Sequence, residues 1–257
     1  MSSAIRIYPA KPKKVYVYAT CLIDMFSPQS GLDAMKLLEL AGVEIIYVPK
    51  QTCCGQPAYS SGYEDDAKTI ALSQMALFSE PWPVVVLSGS CGGMMHHHYR
   101  RLFADSEHEQ SVNQFCERVF ELTEFLVQVC RIKLDDQGPA TSVVLHTSCA
   151  ARREMKVHIT GRQLLGQLSQ VELREQPYES ECCGFGGTFS VRHPAISEAM
   201  VQDKTQYLTG TNADQLISAD WGCLLNINGA LEYQGKGLQG THLATFLLNR
   251  LEGSNAQ

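Results

Sequence analysis

The longest apolar runs of this 257-residue chain, such as residues 84–87, fall far short of the roughly 20 residues that a bilayer-spanning helix needs. The first nine residues contain no apolar core long enough for a secretory signal, and Lys11, Lys13 and Lys14 follow them directly. Positive charge is in the minority: 21 Lys and Arg stand against 27 Asp and Glu, a net charge of −6 with a pI near 5.7. Nucleic acid or an anionic membrane as main partner would favour a basic surface, so both are set aside. No glycine-rich phosphate loop follows a strand, and no Ser-His-Asp or paired-carboxylate arrangement stands out. The expectation is a cytosolic chain with no transmembrane segment whose thiols are kept reduced.

What the chain has is cysteine in a pattern. Eight of its ten cysteines fall into two matched sets. Cys21 is followed after 31 residues by Cys53-Cys54-Gly55, and 36 residues separate Cys54 from Cys91. Cys149 is followed after 32 residues by Cys182-Cys183-Gly184, and 39 residues separate Cys183 from Cys223. Neighbouring cysteines cannot bond each other without strain, and a reduced compartment favours ligand roles over a disulfide framework.

The stretches between the cysteines repeat as well. Residues 15–19 are β-rich and end at Thr20-Cys21; residues 143–148 do the same before Cys149. Helices are predicted over 31–40, 64–78, 119–131, 162–168 and 196–208, strands over 43–48 and 84–88, and a further strand with its cysteine over 215–223. Residues 120–126 and 241–247 read as corresponding closing helices, and 134–139 as the joint between halves. Strand–helix alternation implies parallel sheets, and ligands in such sheets sit at the carboxyl ends of the strands, where Cys21, Cys53, Cys54 and Cys91 would converge. The predicted architecture is α/β: two pseudosymmetric Rossmann-like halves with parallel sheets, residues 1–138 and 139–257, each carrying one Cys-Cys-Gly motif.

Four cysteines on one sheet edge suit either an iron–sulfur cluster or a structural zinc. Short Cys-x2–4-Cys knuckles, usual for zinc, are missing, and adjacent cysteines serve a multi-iron cluster better than one tetrahedral ion. Glycine after each pair lets the backbone approach a bulky cluster with free choice of φ. His146, three residues before Cys149, is either a hydrogen-bond donor to a cluster sulfur or a satisfied histidine at the sheet edge. His96, His97 and His98 read as a solvated helix start, and Cys116 and Cys130 as core residues.

The duplicated Cys-x31–32-Cys-Cys-Gly-x35–38-Cys pattern resembles the cysteine-rich CCG domain family, which takes in the cysteine-rich component of heterodisulfide reductase, the iron–sulfur subunits of glycolate oxidase and anaerobic glycerol-3-phosphate dehydrogenase, and lactate utilization protein A. The chain has no ferredoxin-type Cys-x2-Cys-x2-Cys-x3-Cys-Pro segment, and so is most similar to lactate utilization protein A. The resemblance implies an electron-transfer subunit of an NAD-independent complex oxidising L-lactate to pyruvate. It implies Cys21, Cys53, Cys54 and Cys91 as ligands of one cluster and Cys149, Cys182, Cys183 and Cys223 as ligands of the other. The clusters would be two [4Fe–4S], with zinc in one half as an alternative. A ferredoxin-type iron–sulfur subunit and a small third subunit would be partners, the substrate-oxidising centre lying outside this chain. The family's fullest motif ends in Cys-x2-Cys; here Met94 and Asn226 stand at the last position. Four protein ligands per half remain, which counts against a heterodisulfide-reductase-like thiol–disulfide enzyme. A zinc-stabilised scaffold is the remaining alternative.

Overall fold

The computed structural model describes residues 6–253. Residues 1–5 and 254–257 lie outside it, and with them the start of the N-terminal stretch read above for a signal and the outer ends of the two expected halves. Two four-stranded sheets form, every neighbouring pair parallel. The first has β1 (Lys14–Tyr18), β2 (Glu44–Tyr47), β3 (Val84–Val86) and β4 (Val119–Glu121) in the order β2-β1-β3-β4. The second has β5 (Thr141–His146), β6 (Val171–Arg174), β7 (Gln215–Ser218) and β8 (Gly240–His242) in the order β6-β5-β7-β8. The orders correspond strand for strand, so the α/β architecture in two pseudosymmetric halves is what the sequence repeat predicts.

Alternation along β1 sorts its side chains between two cores. Tyr16 and Tyr18 enter a core private to the first half, with Val84, Val86, Phe78 and Phe115. Val15 and Val17 enter one that also takes Val85 and Leu87 from the first sheet and Val143, Leu145 and Ile217 from the second. The helix Pro28–Leu40 contributes Ala34, Leu37 and Leu38 to this shared core, and the helix Leu243–Glu252 contributes Phe246 and Leu247. Thr245 on the second helix donates to Asp33 on the first at 2.6 Å.

The predicted helix over 119–131 begins as a strand instead, and 241–247, taken as its counterpart, begins inside β8. In both places three residues of strand run directly into a helix, and the helical periodicity of the following turn masks them. At β4 the junction is sharpened by Glu121, whose carboxylate accepts from the backbone N–H groups of Thr123 and Glu124 while Glu124 reaches back to the Glu121 N–H. The edge strand β6 has no counterpart among the predicted strands, and the helix expected over 162–168 runs earlier, Val157–Leu165.

Candidate metal centre

Each of the eight patterned cysteines follows a strand. Thr20 and Ser148, just past β1 and β5, lead into Cys21 and Cys149, which open the short helices Cys21–Phe26 and Cys149–Glu154 rather than lying in loops. Cys91 lies in the helical turn Gly89–Gly93 after β3, and Cys223 in the first turn of Trp221–Tyr233 after β7. The two pairs sit on the segments after β2 and β6. Each is followed by a glycine in the left-handed region, Gly55 at φ +85° and Gly184 at φ +83°. A Cβ on Gly184 would stand 2.7 Å from the Ser197 carbonyl oxygen, so this turn admits glycine for space as well as for φ. The turns return a backbone N–H to sulfur: Gly55 N–H donates to Cys53 Sγ and Gly184 N–H to Cys182 Sγ, both at 3.4 Å.

All eight patterned cysteines line one cavity of about 230 Å³ between the halves. Cys54, Cys91, Cys183 and Cys223 are buried and the other four half-buried. Cys149 Sγ and Cys182 Sγ are 4.0 Å apart. Such crowding sets the thiols against one another. Hydrogen bonds from the Cys21 and Cys54 thiols pull Cys53 down to about 3, and the same contacts, with burial, push Cys21 and Cys54 up. One thiolate is thus held by its neighbours' protons, and a positive centre is what would let the whole set ionise. The donor set therefore fits a metal or an iron–sulfur cluster.

The unpatterned cysteines stay out of this cavity. Cys116 is fully buried, donates its S–H to the Met95 carbonyl at 3.0 Å, and is pushed up to about 12 by burial. Cys130 packs against the shared core and is pushed up to about 11 by burial. Met94, at one of the two positions where the family's fuller motif has a cysteine, is buried in the core of the first half. Asn226, at the other, donates to the Cys183 carbonyl at 2.7 Å, so it buttresses the pair from behind.

The three histidines do not form a solvated helix start. They lie on a π-helical turn, Met94–His98. His96 Nδ1 hydrogen-bonds the Cys116 carbonyl, and His97 and His98 meet Glu154 of the second half through their Nε2 atoms. Their spacing said nothing of a partner 56 residues or more away.

Sequence reasoning passed over the polar seam between the two sets. Asp220, 2% exposed, accepts from the hydroxyls of Ser88, Ser90 and Ser148 and from the Ser90 N–H at 3.1 Å. Burial raises its carboxyl, and these hydrogen bonds oppose the rise. A signal was there: Ser88 and Asp220 each stand three residues before a patterned cysteine, so superposing the two copies picks them out together.

A cysteine-rich domain model matches residues 15–96 and again residues 143–228. This chain belongs to the CCG cysteine-rich domain family. Lactate utilization protein A 2 of Bacillus cereus (strain AH820) is 40% identical over 239 residues, which cover 93% of this chain and 99% of that protein. Lactate utilization protein A of Geobacillus sp. (strain WCH70) is 42% identical over 242 residues, covering 92% of this chain and 100% of that one. Among solved structures, a hypothetical protein from Helicobacter pylori superposes over 98% of this chain with a TM-score of 0.68 at 11% identity. The CCG chain spans 52% of that protein's length, and the likeness is one of fold. Among the described residues no helix is long and apolar enough to cross a membrane.

Proposed function

We propose that this chain is an iron–sulfur electron-transfer subunit of an NAD-independent complex that oxidises L-lactate to pyruvate. The observation that carries the proposal is the convergence of both complete cysteine sets on one largely buried cavity. Cys21, Cys53, Cys54 and Cys91 would hold one [4Fe–4S] cluster and Cys149, Cys182, Cys183 and Cys223 the other. Such clusters take up and release single electrons. The chain's own residues supply the thiolates, the Gly55 and Gly184 N–H groups that donate to sulfur, and the burial of Cys54, Cys91, Cys183 and Cys223. The substrate assignment rests on the lactate utilization proteins to which the chain is similar along nearly its whole length. A cytoplasmic setting, with a ferredoxin-type subunit and a small third subunit as partners, belongs to the same proposal. Residues 1–138 and 139–257 are assigned as the two half-domains.

A second reading has its own observation. A ring nitrogen of His146 and the sulfurs of Cys183 and Cys223 lie within 4.8 Å of one another, a mixed nitrogen–sulfur set of the kind zinc accepts. Iron, acid-labile sulfide and zinc per chain, measured on protein purified without oxygen, separate the two. Two cubane clusters require about eight iron and about eight sulfide. Half of each with one zinc assigns zinc to one half. Zinc without sulfide ends the electron-transfer proposal.

A further inference from the structure

The two cysteine sets are copies, but the groups behind them are not. Tyr18 and His146 occupy the same place, the last residue of the central strand and three residues before the first cysteine. The Tyr18 hydroxyl is committed, donating to the Thr52 carbonyl at 2.6 Å. His146 is 0% exposed, and among the described residues neither of its ring nitrogens has a hydrogen-bond partner. An imidazole buried without partners is costly unless something at its site completes it. What lies beside it is sulfur: Cys183 and Cys223, both lining the cavity, while His146 stands behind them. An imidazole carries at least one ring N–H to donate, whichever tautomer it takes.

A second pair of positions differs in the same sense. Gln74 and Lys204 lie on corresponding helices, Glu64–Met75 and Pro194–Thr209, and each binds the segment leading to its cysteine pair. Gln74 is neutral and holds Thr52 through both amide atoms. Lys204 is 1% exposed and donates to the Tyr178 carbonyl at 3.0 Å. Glu181 and Glu179 are the acids that act on it; Glu179 is engaged by Arg152 and Arg162, and among the described residues neither forms an ion pair with Lys204.

On the reading that both sets hold iron–sulfur clusters, we infer that His146 donates its ring N–H to the sulfur of Cys183 or Cys223 and, with the Lys204 ammonium, makes the C-terminal cluster the easier of the two to reduce. A hydrogen bond to ligand sulfur and a nearby positive charge both stabilise the more negative, reduced state. Electrons delivered by any one-electron donor then collect on the C-terminal half. No bond is made or broken in that transfer. His146 and Lys204 act through the thiolates and are positioning residues.

The test is a redox titration, followed by electron paramagnetic resonance, on the full-length protein after its iron and sulfide have been counted. Two midpoints are expected, the higher lost in Cys183→Ser and the lower in Cys54→Ser. His146→Phe and Lys204→Gln should each lower the higher midpoint and leave the lower in place, while His146→Gln, which keeps an N–H donor, should restore much of the shift. A single midpoint, equal shifts in both centres, no shift, or a higher midpoint that follows Cys54 overturns the inference while leaving the clusters standing. Zinc in the C-terminal half overturns it too. A chain without iron and sulfide overturns the underlying electron-transfer reading with it.

Discussion

At the scale of the residue, cysteines of one type play two parts, and the difference is environment. Cys116 has a carbonyl acceptor and a dry core around it; Cys54 has other sulfurs. Cys116→Ala is therefore expected to leave metal content unchanged and to lower unfolding free energy by about 1 kcal/mol, the worth of one buried hydrogen bond and a small apolar group, as read from denaturant unfolding. Cys54→Ser should instead remove one centre's iron and spare the other. Glu121 gives a pH signature of its own. It is fully buried, Oε1 has no partner, and burial raises its pKa from 4.5 to about 8. The folded state thus holds the proton more tightly than the unfolded one. Its contribution is complete below pH 4.5 and is lost as pH rises through about 8. Glu121→Gln should remove that loss, so that the variant gains on the parent across this window in urea titrations at stepped pH.

At the scale of the element, the short helical turn Gly89–Gly93 and the helix Cys149–Glu154 decide how closely the two cysteine sets approach. A Cβ on Gly89 would lie 2.3 Å from the Ala151 Cβ, a separation that no small adjustment relieves. Gly89→Val should cost about 1–3 kcal/mol by overpacking and, by moving Cys91 and Cys149 apart, reduce iron in both halves; thermal unfolding and metal analysis of one preparation check both. The junction of strand and helix at β4 and β8 shows where pattern reading fails. Three residues are too few to establish an alternation, and the helical turn after them imposes its own period.

At the scale of the molecule, the halves are bound by a shared core and by the segment joining them. Arg250, 4% exposed, pairs with Asp136 at 2.6 Å and donates to the carbonyls of Gly138 and Pro139. Removing one partner of a buried pair leaves an uncompensated charge, so Arg250→Ala should destabilise the chain by about 3–5 kcal/mol. Because Val15 and Val143 enter one core, unfolding should proceed as a single transition in the parent protein. Two resolved calorimetric transitions would contradict this, and with it the assignment of residues 1–138 and 139–257 as halves of one body.

The sequence by itself determined the duplication, the parallel α/β class and the eight cysteines, because each is written in local spacing: period two along Val15 to Tyr18, glycine after each cysteine pair, cysteine after three strands of each half. Only the tertiary structure decided that both sets face one cavity, that Asp220 is held by serines from both halves, that the histidine turn meets Glu154, and that Tyr18 is satisfied where His146 is not. Those facts depend on how two sheets pack against each other. Contacts between residues such as Ser88 and Asp220, 132 positions apart, leave no periodic trace in a single chain, since a buried polar group is satisfied by whatever donor the fold brings near it.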